Sequence, residues 1–154
     1  MVSRMTYSDM LAVDSWQELE ELTRRILEAH GYECDFRRVF KTDRRKYEVD
    51  VIARKAEHVL AIDCKHYLKT KSRRSALKVE AKKHFERCGE YTGVHKEDVV
   101  PVIITLLDDA LFYANGCIVV PLRALNDFLL NNDDYLDALT RANLSSAISI
   151  FLVP

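Results

Sequence analysis

Glycine and proline are scarce in this chain, four and three of 154 residues. So few turn and hinge residues leave few places to divide it, and no repeat, low-complexity tract or linker breaks it. One domain spanning residues 1–154 is expected, long enough for a core without staples. Long apolar runs are also missing: none approaches the ~20 residues a membrane span needs. Residues 1–10 lack the apolar core of a signal peptide. Cysteine is sparse, and Cys34, Cys64, Cys88 and Cys117 fall in no CxxC or Cys/His ligand spacing. That argues against a structural zinc site and for reduced thiols in an intracellular, cytoplasmic protein. Net charge is nearly absent at −1, so the overall balance names no partner.

What is present is a globular composition, 48% hydrophobic and 31% charged. The charge is unevenly placed. Residues 37–46 hold six Lys/Arg against Asp43 alone, and residues 65–83 hold eight against Glu80 alone. Residues 97–137 hold eight Asp/Glu against Arg123 alone. A neutral total thus conceals a candidate anion-binding face.

The chain is organised around residues 47–67. Tyr47-Glu48-Val49-Asp50-Val51-Ile52-Ala53 and Val59-Leu60-Ala61-Ile62-Asp63-Cys64-Lys65-His66-Tyr67 read as two β-strands across a short polar break. Asp50, Asp63 and Lys65 do not belong in apolar strands. Residues two apart on a strand share a face, so Asp63 and Lys65 point the same way. Consecutive strands are usually neighbours, which brings Asp50 close. Charges buried there are costly unless they bind something; a metal ion and a phosphodiester fit.

Before these strands, Asp14 or Ser15 can cap a helix running to His30 with Gly31 as its stop. Leu19, Leu22, Ile26 and Ala29 form its apolar stripe, widened by Trp16, Thr23 and Leu27. Glu20 falls at one edge of that stripe and Glu18 at the other, while Glu21 and Glu28 face solvent. Residues 32–40 read as a strand and residues 41–45 as a charged hairpin loop. A second helix is expected from Ser72 or Ser75 to Cys88 on the spacing of Leu77, Ala81, Phe85 and Cys88. Residues 99–106 and 117–120 read as buried strands. Residues 108–115 suit a short helix or turn, Pro121 opens a helix through Leu130, residues 133–144 could form another, and residues 147–153 a last apolar strand or tail. Hairpin strands followed by strands and helices in alternation predict an α/β fold, a mixed central sheet flanked by helices.

The order helix glutamate, strand Asp50, then Asp63-Cys64-Lys65 at the end of the next strand resembles the PD-(D/E)XK nuclease superfamily. Mrr-like endonucleases and archaeal Holliday-junction resolvases look closest. Leu19-Glu20-Glu21-Leu22 leading to Gly31-Tyr32 is similar to the Mrr-like first helix, Val49-Asp50-Val51-Ile52 to the aspartate strand, and Ile62-Asp63-Cys64-Lys65-His66-Tyr67 to the (D/E)xK strand. Glu48 stands where Mrr-like proteins tend to carry glycine, and no proline precedes Asp50; the chemistry needs neither. The resemblance covers roughly residues 15–130 and implies a restriction-endonuclease-like fold. A lone (D/E)xK is weak, since about one arises by chance in a chain this long. Glu80-Ala81-Lys82 is a second copy, read here as a solvated helix face.

The resemblance implies a Mg²⁺-dependent endonuclease, with Mn²⁺ able to substitute and no organic cofactor. Mg²⁺ prefers hard oxygen ligands and keeps several waters. Asp50 and Asp63 would supply carboxylates and Cys64 its backbone carbonyl. Lys65 would orient or deprotonate the attacking water, or stabilise developing charge. Glu20 would assist through a bound water, and one or two metals fit equally. Lys69, Lys71, Arg73 and Arg74, directly after the catalytic strand, are the first candidates for DNA-backbone contact, with Arg44 and Arg45 (beside Lys46) second. His66 and Tyr67 read as structural, and Cys64 as core. The implied partners are DNA and a second copy of the chain in a homodimer, with residues 147–153 a candidate interface. A non-catalytic nucleic-acid-binding subunit of the same fold is the alternative, and structured RNA a weaker substrate.

Overall fold

A computed structural model describes residues 16–66, 73–106 and 112–134. Helix α1 (Trp16–Ala29) leads into a strand hairpin, β1 (Glu33–Lys41) and β2 (Lys46–Lys55), followed by β3 (His58–Lys65). Helix α2 (Arg73–His95) crosses to β4 (Val100–Thr105). A second hairpin, β5 (Phe112–Ala114) and β6 (Cys117–Pro121), precedes a 3-10 turn (Leu122–Ala124) and helix α3 (Leu125–Leu130). The strands form one mixed sheet in the order β1-β2-β3-β4-β6-β5, antiparallel at both hairpins and across β2–β3, parallel across β3–β4 and β4–β6. This is the α/β sheet flanked by helices that the sequence predicts.

Two apolar layers hold it together. Leu19, Ile26 and Leu27 of α1 and Leu125, Phe128 and Leu129 of α3 pack on Val51, Leu60, Ile62, Val102 and Val120. On the opposite face Leu77 and Ala81 of α2 meet Ile103 and Val119, and Cys88 and Tyr91 meet Val49, Ile52 and Ala61. Each fully buried aliphatic side chain contributes about 1.5–3 kcal/mol, which is why the alternation of β3 fixes which residues face which helix.

Several local expectations are corrected. The buried stripe of α1 is Leu19, Glu20, Thr23, Ile26 and Leu27, while Ala29 and Trp16 are exposed. Helix α2 continues past Cys88 to His95, because Tyr91 prolongs a buried stripe of Leu77, Ala81, His84, Cys88 and Tyr91. His84 takes the place expected of Phe85, which turns outward and lies over Gly116. Residues 112–114 are strand, not helix. Asn115 and Gly116 turn this hairpin with positive φ of 45° and 90°, the backbone an Asn-Gly pair supplies readily. Pro121 ends β6 rather than opening a helix, which begins only after the 3-10 turn. Tyr67, Lys69, Lys71, residues 135–144 and residues 147–153 lie outside the described residues, as does the helix cap expected at Asp14 or Ser15.

Candidate active site

The feature that positions the site is a break in the β1–β2 ladder. Pairing runs from Glu33↔Arg54 to Phe36↔Val51, skips Arg37 and Asp50, and resumes at Arg38↔Val49. Arg37 has φ +52°, a left-handed backbone that a side chain other than Gly or Asn adopts only at a cost. Both strands change face across this break. Phe36 and Val51 pack on the α1 side, whereas Phe40 and Val49 pack on the α2 side. The β2–β3 pairing stops at Val51↔Ile62, so the next residues in that register are Asp50 and Asp63. The aspartate on β2 therefore stands where the sheet opens on both its edges.

Asp63 is buried, on the α2 face with Ala61 and Lys65. Lys65 Nζ lies 3.1 Å from Asp63 Oδ2, and that oxygen accepts no aligned hydrogen bond. Arg87 Nη1 approaches the other carboxylate oxygen at 3.9 Å. Asp50 hydrogen-bonds Asp63 and accepts from the Cys64 N–H at 2.9 Å through Oδ2. In an extended strand the N–H and C=O of one residue point to the same neighbour, so the Cys64 carbonyl faces the Asp50 side. Glu20, on the buried stripe of α1, accepts from Arg37 Nη2 at 3.5 Å. Glu18, the rival helix glutamate, is exposed. Asp50, Asp63, Lys65 and Glu20 thus share one electrostatic neighbourhood at the carboxyl end of β3.

Helix α2 adds residues that the sequence did not place at the site. Glu80, expected on a solvated face, is half-buried with Oε2 3.3 Å from Lys65 Nζ. One turn on, the fully buried His84 donates from Nε2–H to the Ala61 carbonyl at 2.8 Å, and its Nδ1 accepts from Arg87 Nη1 at 3.1 Å. A carbonyl can only accept and a guanidinium only donate, so the ring is fixed as the neutral tautomer. Residues 80, 84 and 87 share one helix face by their spacing of four and three, alongside Leu77 and Ala81. That spacing was the one available signal. Arg37 had none.

The charges are mutually adjusted. Burial, the ionised Asp63 and the hydrogen bond to it raise the Asp50 carboxyl well above the usual range, outweighing the Cys64 N–H. Burial also pushes Asp63 upward, but the His84 ring, the Lys65 ammonium, the Asp50 hydrogen bond and the Arg87 guanidinium beside it hold it below its ordinary value. Without metal, and below about pH 7, the pair therefore holds one proton, on Asp50, which donates to Asp63. Burial opposes the charge on Lys65, yet Asp63 and Glu80 outweigh it and keep the ammonium. Burial raises Glu20 against the pull of Arg37. It also lowers His84 and pushes the Cys64 thiol up, so Cys64 is no nucleophile.

The orphaned oxygen on Asp63 beside a protonated Asp50 fits a hard divalent cation, which needs one or two protein carboxylates and keeps its waters. Among the described residues no group of three or more His, Cys, Asp or Glu side chains is placed to hold a metal ion. Beside Glu20, a groove of about 290 Å³ is lined by Gln17, Glu20, Glu21, Arg24, Phe36 and Arg37.

The basic candidates of the β1–β2 turn fall at the same end of the sheet, while Lys69, Lys71 and the side chains of Arg73 and Arg74 lie outside the described residues. Arg44 and Arg45 are exposed in the β1–β2 turn, and Arg45 covers the Tyr47 ring at 4.6 Å. Five or so residues of strand separate them from Asp50, about 15 Å. Glu80 pairs with Lys65 and His84 with Ala61, so α2 runs antiparallel to β3 and begins at Arg73 about two turns beyond the site.

Comparison with known proteins agrees with this architecture. The chain is 42% identical over 121 residues to an uncharacterised protein of Archaeoglobus fulgidus, covering 79% of this chain and 94% of that one. Its fold is similar to the crystal structure of a protein of unknown function, with TM-score 0.50, 16% identity, and coverage of 70% of this chain and 58% of the other. Among the described residues no helix is long and apolar enough to cross a membrane. The restriction endonuclease family of Mrr catalytic domains matches residues 11–102, and the chain, with its (D/E)xK strand and mixed sheet, belongs to that family.

Proposed function

We propose that the chain is a metal-dependent endonuclease that hydrolyses DNA phosphodiester bonds. The observation that carries this is the Asp50–Asp63 contact, with an orphaned carboxylate oxygen beside the Lys65 ammonium at the end of β3. Asp50 and Asp63 would hold Mg²⁺, with Mn²⁺ a substitute, and the Cys64 carbonyl lies on the side to join them. The ion, when bound, supplies charge neutralisation on the phosphate and a more acidic water.

The chain's own residues then divide the rest. Lys65, kept as an ammonium by Asp63 and Glu80, acts as a cation toward the phosphate oxygens rather than as a general base. Glu20 accepts a hydrogen bond from the attacking water, and Arg37 holds its carboxylate in place. Arg44, Arg45, Arg73 and Arg74, with Lys69 and Lys71, position the DNA backbone.

The test is cleavage of labelled linear duplex, flap and four-way-junction DNA, in Mg²⁺ against EDTA, by wild type and Asp63→Ala. Metal-dependent cutting that the substitution reduces by at least about a thousandfold is expected, with DNA affinity retained. Undiminished cutting by the variant would sink the assignment. Salt-sensitive binding without cutting on any substrate would make the chain a non-catalytic module of the family.

A further inference from the structure

Lys65 is shared between two carboxylates. Its Nζ is 3.1 Å from Asp63 Oδ2 and 3.3 Å from Glu80 Oε2. The first contact is ionic without being an aligned hydrogen bond. An incoming divalent cation at the orphaned oxygen would therefore compete with an ammonium already there. Two cations at contact distance from one oxygen repel each other, and the more so in a half-buried site. Displaced with no counter-charge, the ammonium would be left half-buried and unpaired, an expensive state. Glu80 removes that cost, since the ammonium already touches it and needs only to shift its weight.

We propose that Glu80 is a positioning residue that takes over Lys65 when a divalent cation claims Asp63, so that metal entry exchanges one ion pair for another. The inference rests on the reading of Asp50 and Asp63 as the metal-binding pair. The geometry is suited to exchange. Glu80 stands on α2, a different element from the aspartates, and its other oxygen Oε1 is 3.6 Å from Lys83 Nζ, so its carboxylate is held from both sides. Asp63 meanwhile keeps Arg87 on its far oxygen at 3.9 Å throughout. The exchange also keeps Lys65 at the site for the phosphate instead of releasing it to solvent.

The experiment titrates Mn²⁺ into the full chain by calorimetry, without DNA, for wild type, Glu80→Gln, Lys65→Met and the double variant. Glu80→Gln keeps an acceptor oxygen for Lys65, and far-UV circular dichroism checks each fold. Glu80→Gln is expected to weaken Mn²⁺ binding about fivefold. Lys65→Met should tighten it, and in that background Glu80→Gln should have no further effect. Glu80→Asp should bind closer to wild type than Glu80→Gln does. Equal weakening by Glu80→Gln with and without Lys65 would overturn the exchange, since Glu80 would then act on the ion directly, and no weakening in either background would also overturn it. Failure of the wild type itself to bind Mn²⁺ at millimolar concentration would instead remove the metal-site reading beneath the inference.

Discussion

Replacing Asp50 by asparagine is expected to raise the stability of the metal-free protein while abolishing metal-dependent cleavage. Burial and the Asp63 charge raise the Asp50 carboxyl, so the folded chain keeps a proton that the unfolded chain, with an ordinary value near 4, gives up. Between those two values the folded state binds more protons than the unfolded state, and stability falls as pH rises. The slope for one fully linked group is about 1.4 kcal/mol per pH unit, flattening above the folded-state value. Asparagine carries no such linkage, yet can accept from the Cys64 N–H and donate to Asp63. Partial solvent access reduces the sum, leaving an advantage of about 2 kcal/mol at pH 8 and little at pH 4.5. In a domain of this size that is about 6 °C in Tm. Thermal melts in EDTA across pH 4.5–8 measure it. Excess Mg²⁺ should then close the gap, since a ligand at a hundred times its Kd adds about 2.7 kcal/mol to the wild type alone. An Asp50→Asn variant less stable than wild type at pH 8, or equally displaced at every pH, would refute the account of the pair.

His84→Ala removes the Nε2–H bond to the Ala61 carbonyl and the Arg87 acceptor while leaving a void. A loss of about 3 kcal/mol in urea melts is expected, and one under about 1 kcal/mol would mean the imidazole does not tie α2 to β3. Arg44→Ala with Arg45→Ala should lower the slope of log affinity against log salt for duplex DNA by about 2, and an unchanged slope would remove that turn from the interface.

The mixed-sheet class and most of its strands were legible because β2, β3, β4 and β6 are apolar runs whose burial leaves little choice. The failures lie where burial is decided by something other than hydrophobicity. Phe85 fits the apolar spacing of α2 better than His84, but His84 is the buried one because the sheet offers its ring a carbonyl and Arg87 supplies the other partner. Glu80 carries the composition of a solvated face, and only the crossing of α2 over β3 brings it to Lys65. Alternation correctly puts Asp63 and Lys65 together, since β3 is regular. On β2 it fails at Asp50, where the strand changes face opposite a left-handed Arg37. No residue type demands that backbone, so no pattern announces it. Its cost has to be met by the surroundings, and the ion pair to Glu20 and the Trp16 ring 5.0 Å from the guanidinium are among the contacts that meet it.

The charge count at the site suggests why a proton is stored there. Without metal, and leaving out the exposed Lys83 beside Glu80, Glu20, Asp63 and Glu80 are matched by Arg37, Lys65 and Arg87, and Asp50 is neutral because it holds the proton. Three negative groups against three positive ones make a balanced cluster that can be half-buried without excess charge. If one divalent cation displaces the Asp50 proton, four carboxylates face three side-chain cations and the ion, a net of one positive charge. That is the complement of a single phosphodiester. The same count requires that metal binding release a proton. Calorimetric titration of Mg²⁺ near neutral pH in buffers of different ionisation enthalpy should therefore give apparent enthalpies that differ with the buffer. Identical enthalpies in all buffers would mean that Asp50 does not carry the stored proton.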